Sequence, residues 1–337
     1  MNDATALPAL PTLKDVYAAQ RRIAGDIVET PLLRSDVLDQ KVDGRVFIKA
    51  ESLQITGAFK VRGAYNRLRQ FSPAEREGGV ITFSSGNHGQ AVAAAARRLG
   101  IEATVLMPSD SVATKAELTR AHGASVVFFD RERDDSLAMA KALKPNATLV
   151  PPANDFDIIS GQGTTALEIL SQLRDFRASD PDLLLVPCGS GGLTAGCSLV
   201  FASLCPVAGV LAVEPAGYDD TARSLAAKTR MTNTVRAATI CDALTARTPA
   251  PMTFAINLAN GVRGLTVTDD QVIAAVGFAF RHLKLVLEPG GAAGLAAVLS
   301  HLAPLGGKTA VVVCSGGNVD APLFARAIQE THVESGN

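Results

Sequence analysis

GVITFSSGNHGQAVAAAARRLG, residues 79–100, contains a short apolar run, a polar loop with glycines and an Ala-rich segment. The run GVITF has the length and composition of a buried strand, and the segment after the loop predicts a helix. A buried strand that leads through a polar loop into a helix is half of a βαβ unit. This stretch therefore predicts an α/β fold with a parallel sheet.

The same alternation continues on both sides of this stretch, and upstream the run RVFIKAES predicts a short strand. Downstream, strand-like and helix-like runs follow one another in the order ATVLMP, TKAELTRAHG, SVVFFD, DDSLAMAKALK and TLVPP. A second alternation begins at the predicted helix GTTALEILSQLRDF and contains the apolar runs DLLLVP, VLAVEP and TAVVVCS. The sequence therefore predicts two open parallel-sheet α/β domains. We expect a small domain at residues 79–150 and a large, discontinuous domain at residues 1–78 and 151–337.

A cleft between two such sheets is the expected ligand site, because ligands in open parallel sheets gather at the carboxyl ends of strands.

Composition excludes several other classes of protein. Lys and Arg number 32 against 33 Asp and Glu, without a dense basic run, so nucleic acid is not an expected partner. The five cysteines form no Cys-x-x-Cys pair and the five histidines are scattered, so neither a zinc site nor a disulfide framework is indicated.

The N-terminal residues MNDATALPALPTLKD lack the charged start and long apolar core of a secretory signal. No stretch of about 18 uninterrupted apolar residues occurs, which is the length that a membrane helix needs. We therefore expect a cytoplasmic protein with reduced thiols and no membrane partner.

One lysine, Lys60, lies in the stretch Glu51-Ser-Leu-Gln-Ile-Thr-Gly-Ala-Phe-Lys-Val-Arg-Gly63, directly ahead of the helix-like run AYNRLRQF. Most lysines at helix starts are solvated surface charges. A desolvated lysine instead loses proton affinity and becomes a usable amine near neutral pH, as a Schiff base with an aldehyde cofactor requires. The loop-to-helix junction at Lys60 is therefore a candidate catalytic position.

A glycine-rich loop, Gly189-Ser190-Gly191-Gly192-Leu193, separates the apolar run DLLLVP from a predicted helix. Backbone N–H groups of such a loop and the N-terminus of the next helix can bind a phosphate, whereas the simpler interpretation is a plain turn. A Rossmann dinucleotide site does not fit, because its third glycine would fall at Thr194.

Two further polar loops follow predicted strands. Ser84-Ser-Gly-Asn-His-Gly89 opens a helix, where its N–H groups can bind an anion and its Ser or Asn side chain can cap the helix. Ser315-Gly-Gly-Asn318 follows the apolar run AVVVC, where an ordinary turn is the alternative.

Together the four motifs resemble those of the pyridoxal-phosphate (PLP) enzymes of the serine/threonine dehydratase family, which have the fold called type II, like the tryptophan synthase β chain. The Lys60 stretch is similar to the family's cofactor-lysine motif, a Thr-Gly-Ser-Phe-Lys or Thr-Gly-Ala-Phe-Lys core followed by Arg-Gly. The resemblance extends from about residue 12 to about residue 330. In the glycine loop, Ser190 replaces one of the four consecutive glycines that are usual in the family.

The resemblance implies a role for each motif. The implied cofactor-binding residues are Phe59, Lys60, Asn87, Gly189, Ser190, Gly191, Gly192, Leu193, Glu288 and Ser315. The implied substrate-binding residues are Ser84, Ser85, Gly86, Asn87 and His88. Lys60 would hold PLP and then act as the base at Cα, and Ser315 would face the pyridine nitrogen with a neutral hydroxyl. Ser85 would face Lys60 across the cofactor, where a hydroxyl can protonate the opposite face of a carbanion.

Glu214 and Asp220 place two carboxylates on either side of Tyr218. Acidic residues that cap the next helix are one interpretation, and a hard-cation site of oxygen ligands is the other. The run is similar to a Mg²⁺ or Ca²⁺ site found in part of the family. That resemblance implies Glu214, the Tyr218 carbonyl and Asp220 as ligands of a metal remote from the substrate.

The resemblance implies a dehydratase that releases ammonia and a 2-oxo acid from a β-hydroxy-α-amino acid, first of all L-threonine or L-serine. Dehydration of 3-hydroxyaspartate or phenylserine, or a dehydratase step in hydroxyectoine breakdown, is the same chemistry. Serine racemase is an alternative in another class, although His122, Ala243 and Ala246 depart from residues common in racemases. A nucleotide-binding sensor with an inactive lysine is an alternative outside PLP chemistry, which the absence of a PLP absorption band would favour.

The length of 337 residues leaves no room for the regulatory domain of the allosteric threonine deaminases, so isoleucine feedback is not expected. A homodimer is expected from the resemblance alone.

Overall fold

The structure, a computed structural model, describes residues 9–111 and 113–330. The strands are β1 (Leu32–Arg34), β2 (Arg45–Ala50), β3 (Val80–Phe83), β4 (Ala103–Pro108), β5 (Ser125–Phe129), β6 (Thr148–Leu149), β7 (Leu183–Pro187), β8 (Gly209–Pro215), β9 (Arg263–Val267) and β10 (Thr309–Cys314). They form a six-stranded sheet with the order β1-β2-β10-β7-β8-β9 and a four-stranded sheet with the order β5-β4-β3-β6.

The α-helices connect these strands. They are α1 (Leu13–Ile23), α2 (Asp36–Val42), α3 (Val61–Leu68), α4 (Pro73–Gly78), α5 (Asn87–Leu99), α6 (Ala113–Ala121), α7 (Ser136–Leu143), α8 (Phe156–Asp175), α9 (Gly192–Leu204), α10 (Asp220–Ala227), α11 (Pro251–Ala259), α12 (Asp269–Phe278), α13 (Pro289–Leu299) and α14 (Ala321–Glu330). Short 3₁₀ turns occur at Glu51–Leu53 and Asp242–Leu244, and a π turn at Ala279–Leu283.

The larger sheet is buried on both faces. Its neighbouring strands are parallel except β1, which is antiparallel to β2. Side chains alternate between two apolar clusters, so that Leu184 and Val311 lie in one while Leu185 and Val312 lie in the other. Helix α13 covers one face and α9 the other. Burial of both faces explains why these strands read as continuous apolar runs.

The smaller sheet is parallel throughout and takes its strands from residues 80–149. The pairing of β6 with β3 confirms that TLVPP completes this set of strands. Helix α3, from outside this segment, packs against α5. The division into domains at residues 79 and 150 therefore stays a prediction.

The N-terminal segment that lacks the features of a secretory signal includes residues 1–8, which lie outside the described residues.

Several elements differ from their sequence predictions. Helix α8 begins at Phe156 and not at Gly163, because the Asp155 side chain caps it by accepting hydrogen bonds from the amides of Asp157 and Ile158. The run DQVIAAVGFAFRHLKL, residues 270–285, predicts one long helix, whereas the structure has α12 followed by the π turn. Strands β1 and β9 were not predicted, since both are edge strands of mixed polarity.

Helix α8 packs closely on α3 and α9 through glycines. A Cβ added at Gly161 would lie 2.6 Å from the backbone oxygen of Arg62, and one added at Gly196 would lie 2.5 Å from the backbone nitrogen of Gly163. Any side chain at these positions would push the helices apart. For the segment Gly161-Gln-Gly-Thr164 the sequence predicts helix entry and packing. The segment has the packing role, but the helix entry is wrong because the segment lies inside α8.

A buried ion network joins β2, α3 and α8. The Arg62 Nε and Nη2 donate to the two carboxylate oxygens of Glu51 at 2.8 and 2.7 Å, and Nη1 donates to Glu168 Oε1 at 2.6 Å. Lys49 Nζ donates to Glu168 Oε2 at 2.7 Å. Burial alone would raise the pKa of Glu51, but the Arg62 guanidinium holds it below its ordinary value. The attraction between the paired charges offsets the free-energy cost of removing each group from water.

Within residues 9–111 and 113–330, every helix falls short of the length or apolar character that crossing a bilayer requires.

We expect Arg62→Met to lower the free energy of unfolding by about 3–5 kcal/mol, because it leaves the buried Glu51 carboxylate without its ion-pair partner and Glu168 with Lys49 alone. Lys144→Met is the matched control, since Lys144 pairs with Glu102 on the surface and such pairs contribute about 0–1 kcal/mol. Urea denaturation followed by circular dichroism measures both. A loss below about 1 kcal/mol for Arg62→Met would show that the network is dispensable for stability.

Candidate active site

Four polar loops meet because their strands end at the same edges. Strands β2, β10 and β7 are neighbours, and Cys314 at the end of β10 pairs with Ala50 at the end of β2. The loops that follow these strands contain Lys60, Ser315 and residues 189–193, and the loop after β3 contains residues 84–88. All four loops line one cavity of about 330 Å³. This volume lies in the range of small-molecule sites, which begins near 300 Å³.

Lys60 lies immediately before α3, which confirms the predicted loop-to-helix junction. Its Nζ lines the cavity and donates a hydrogen bond to the Pro152 carbonyl at 3.0 Å. Burial lowers the pKa of the Lys60 amine to about 8, although the Glu288 carboxylate acts in the opposite direction. An amine with this pKa is partly neutral at pH 7, so it can act as a nucleophile and a base.

The glycine loop presents free backbone donors at the N-terminus of α9. Gly191 has a φ of +87°, and a Cβ there would lie 2.9 Å from Thr253 Oγ1. The Ser190 carbonyl is already bonded, because Thr253 Oγ1 donates to it at 2.7 Å. Among the described residues, the N–H groups of Gly189, Ser190 and Gly191 have no acceptor. These donors, together with the helix dipole, fit an anion such as a phosphate.

A second set of free donors lies at the N-terminus of α5. The Gly86 amide donates to Ser84 Oγ at 3.1 Å, but Gly86 is itself the N-cap residue of α5 and no described side chain caps the helix. The N–H groups of Ser85, Asn87 and His88 find no acceptor within the part of the chain that the structure describes. The predicted cap by a Ser or Asn side chain is therefore wrong, and the loop is left open to an anion.

The loop before Lys60 is fixed to the end of β10. Ala58 and Gly316 form an antiparallel bridge, and the Phe59 amide donates to the Ser315 carbonyl at 3.1 Å. Asn318 Nδ2 donates to the Thr56 carbonyl at 2.8 Å. These bonds hold the Lys60 loop against Ser315, whose hydroxyl is expected to face the cofactor nitrogen.

Asn87 and Glu288 meet at the centre of the cleft. Asn87 Nδ2 donates to Glu288 Oε1, and Asn318 Nδ2 donates to Asn87 Oδ1 at 2.8 Å. Burial raises the pKa of Glu288 to about 7, although Lys115 at 3.9 Å acts to lower it. Lys115 itself pairs with Asp242. The sequence predicts a role for Asn87 and Glu288 but not for Lys115, which lies in no recognised motif, or for Asp242, which adjoins Ala243.

His88 is buried and neutral. Its Nε2 lies 3.1 Å from the Val150 carbonyl, and burial lowers the pKa of the ring to about 3. The ring adds no positive charge to the cleft, so a substrate contact through its backbone amide stays the prediction. Ala243 and Ala246, noted for their departure from racemases, line the cavity, whereas His122 is not among the described residues that do.

The proposed metal ligands lie together at the start of α10. Both Glu214 carboxylate oxygens accept backbone N–H groups, from Thr221 at 3.0 Å and from Ala222 at 2.8 Å, so Glu214 caps the helix. Burial, with the Asp220 carboxylate, raises the pKa of Glu214 to about 8. Asp220 Oδ2 is buried without a hydrogen-bond partner in the described residues. These oxygens fit a hard cation, but no group of three or more described His, Cys, Asp or Glu side chains surrounds the position.

The cavity fits PLP in its donor set. A lysine of lowered pKa matches the aldehyde, and the unpaired N–H groups of residues 189–191 match the phosphate. Ser315 is buried at the cavity wall, and its Oγ makes no hydrogen bond within the described residues. Phe59 lines the same cavity, with its ring centroid 5.0 Å from Lys60 Nζ. The implied cofactor residues all line this cavity, and their individual contacts to PLP stay predictions.

Comparison with known proteins agrees with this geometry. The profile of the family described as "Pyridoxal-phosphate dependent enzyme" matches residues 23–316. An L-threo-3-hydroxyaspartate ammonia-lyase from a Pseudomonas species is 37% identical over 322 residues, which cover 95% of this chain and 99% of the relative. An L-threonine ammonia-lyase from Thermotoga maritima is 36% identical over 329 residues, which cover 96% of this chain and 80% of the relative.

The solved structure of maize serine racemase superposes on the chain with a TM-score of 0.88. It is 32% identical and covers 97% of this chain and 99% of that one. The similarity confirms the predicted fold of two parallel-sheet α/β units, type II among PLP enzymes.

We expect Gly191→Ala to weaken PLP binding about tenfold or more, because the Cβ would crowd Thr253 and shift the N–H donors. Gly261→Ala is the matched control, since Gly261 also has a positive φ, +67°, but no atom within 4 Å of an added Cβ. Equilibrium dialysis of PLP against each apo variant gives the affinity. Equal affinities for the two variants would contradict a phosphate at this loop.

We expect the rate at which the apo chain captures PLP to rise with pH around a midpoint of about 8, the pKa of Lys60. At pH 7 the neutral fraction of this amine is about 300-fold larger than at its ordinary pKa of 10.5. Stopped-flow absorbance at a series of pH values measures the rate, and Lys60→Ala is the blank. A midpoint near 10 would show that the amine is fully solvated.

Proposed function

Because the chain belongs to the family of pyridoxal-phosphate dependent enzymes, we propose that it is an ammonia-lyase acting on a β-hydroxy-α-amino acid. L-Serine and L-threonine are the simplest members of this class of substrate. Relatives named as L-threo-3-hydroxyaspartate and L-threonine ammonia-lyases support the proposal. The products are the corresponding 2-oxo acid and ammonia.

The observation that best supports the proposal is that two sets of unpaired N–H groups face the cavity that Lys60 lines. The N-termini of α9 and α5 both present free N–H groups there. PLP would bring a phosphate to this cavity, and an amino-acid substrate would bring a carboxylate. Two helix N-termini at one cavity can bind one such anion each.

PLP, when bound, supplies an electron sink that stabilises negative charge at the substrate Cα. The Lys60 amine, with its pKa near 8, is placed to remove the Cα proton. The N–H groups of Ser85, Asn87 and His88 are proposed to bind the substrate carboxylate and so to orient the Cα–H bond toward Lys60. Ser315 offers a neutral hydroxyl to the ring nitrogen, which favours elimination over transamination.

The overall reaction balances without an oxidant. The substrate loses a proton from Cα and the hydroxyl from Cβ, which together make water. The enamine that leaves the site takes up one water and releases ammonia, so the net products are the 2-oxo acid and ammonia. Glu288 and Asn87 are proposed to contact the cofactor ring. Glu214, the Tyr218 carbonyl and Asp220 are proposed to hold a Mg²⁺ or Ca²⁺ ion that supports structure and activity without contacting the substrate.

Serine racemase is the second candidate, because Ser85 lines the same cavity as Lys60 and the chain superposes closely on maize serine racemase. Racemisation needs an acid on the face opposite the lysine, and the Ser85 hydroxyl is the group proposed there.

We expect the PLP-loaded enzyme to release a 2-oxo acid from at least one of L-serine, L-threonine, threo-3-hydroxyaspartate and phenylserine. Lys60→Ala should abolish this activity, whereas the surface change Lys144→Ala should not alter it. Chiral chromatography of the L-serine reaction detects D-serine, which Ser85→Ala should remove while dehydration continues. No 2-oxo acid from any of the four would refute the ammonia-lyase proposal, and no D-serine from the parent enzyme would remove the racemase.

A further inference from the structure

The positively charged side chains that line the cleft differ in whether an acidic side chain of the cleft already pairs with them. In the described part of the chain, the cationic lining residues are Lys60, Lys115 and Arg131, and the acidic ones are Asp242 and Glu288. Lys115 pairs with Asp242 and lies 3.9 Å from Glu288. Lys60 is committed to the cofactor. Arg131 is therefore the cationic lining residue that has no acidic partner among the other residues of the cleft lining.

The acidic partner of Arg131 is Asp110, which does not belong to the cleft lining. The Arg131 Nε donates to Asp110 Oδ1 at 2.9 Å, and the Asp110 side chain is 65% exposed. No described residue accepts a hydrogen bond from the Arg131 Nη1 or Nη2. A surface ion pair of this kind contributes little free energy, so Arg131 can keep or exchange it at low cost. Its free nitrogens can bind a carboxylate through two parallel hydrogen bonds.

Arg131 lies at the substrate end of the cleft. Ser85, Arg131, Asp242 and Thr245 line both the cleft and a neighbouring recess that also contains Asp110. None of the phosphate-loop residues 189–193 lines that recess. Arg131 is thus on the side of Ser85, where the substrate is expected, and away from the loop expected to bind the phosphate. The N-terminus of α5 already provides a site for the α-carboxylate, so a second anion site would be surplus for serine or threonine.

We propose that Arg131 binds a carboxylate on the substrate side chain, and that the preferred substrate is a β-hydroxy-α-amino dicarboxylic acid such as 3-hydroxyaspartate. This inference rests on the proposed ammonia-lyase function. Glu288, which carries a reduced negative charge near its pKa of about 7, and Asp242, which is paired with Lys115, leave the charge of Arg131 available to a dianion.

The decisive measurement is the ratio of kcat/KM for L-threo-3-hydroxyaspartate to kcat/KM for L-serine. We expect the parent enzyme to favour the dicarboxylic substrate and Arg131→Gln to lower the ratio about 10- to 100-fold, the usual effect of losing a charged hydrogen bond. Turnover of L-serine should change by less than about threefold, because serine has no group for Arg131. Arg133→Gln is the matched control, since Arg133 is 85% exposed and does not line the cleft.

Two further measurements separate binding from a structural role. L-Aspartate lacks the β-hydroxyl and L-alanine lacks the second carboxylate, so spectral titration of the PLP-loaded enzyme with each compares affinity without elimination. Arg131→Gln should weaken L-aspartate and leave L-alanine unchanged. Asp110→Asn removes the competing carboxylate and should keep or raise the preference for the dicarboxylic substrate.

The outcomes distinguish the two proposals. No 2-oxo acid from any β-hydroxy amino acid would refute the ammonia-lyase function and this inference with it. Turnover of L-serine without preference for 3-hydroxyaspartate would refute this inference alone. An equal loss on both substrates in Arg131→Gln would show that Arg131 supports the structure of the cleft without recognising the substrate side chain, which would overturn the inference. A fall of the ratio in Asp110→Asn as large as in Arg131→Gln would also overturn it.

Discussion

The buried ion network around Arg62 is the constraint on which the rest of the site depends. Arg62 comes two residues after Lys60, and Glu51 follows directly on β2, so the network fixes both ends of the Lys60 loop. Glu168 extends the same network to α8, where glycines allow α3 and α9 to approach. A buried charge cannot move without losing its partner, so the network holds Lys60 at one position between two sheets. A catalytic amine needs that precision of placement.

The cleft is organised for anions more than for apolar contacts. Parallel strands bring their carboxyl ends to one edge, and each strand is followed by a helix whose N-terminus faces that edge. Helices α5 and α9 thereby direct unpaired N–H groups to one cavity, which Lys60 also lines. The arrangement offers backbone donors to two negative groups, and the Lys115 side chain beside Gly86 is already paired with Asp242.

Two charged side chains of the cleft are paired within it, since Lys115 pairs with Asp242. Glu288 lies 3.9 Å from Lys115 and accepts a hydrogen bond from Asn87, but its Oε2 has no hydrogen-bond partner among the described residues. Arg131 has a partner only at the rim. Chemistry at Cα requires the amine and the anion sites, whereas the choice among β-hydroxy amino acids depends on groups that contact the side chain. These groups vary without disturbing the fold, because they lie on loops and on the rim.

Local sequence patterns are enough to predict the α/β class, the strands of both sheets except two edge strands, the junction at Lys60 and the polar loops that line the cavity. These features are local. A buried parallel strand is a continuous apolar run, and a strand-loop-helix turn is encoded by residues adjacent in the sequence. The folded chain adds what those patterns cannot show: the Arg62 network, the pairing of Lys115 with Asp242 and the position of Arg131 in the cleft. Those contacts join residues far apart in the chain, and a charged residue in the sequence shows neither its burial nor its partner until the chain has folded around it.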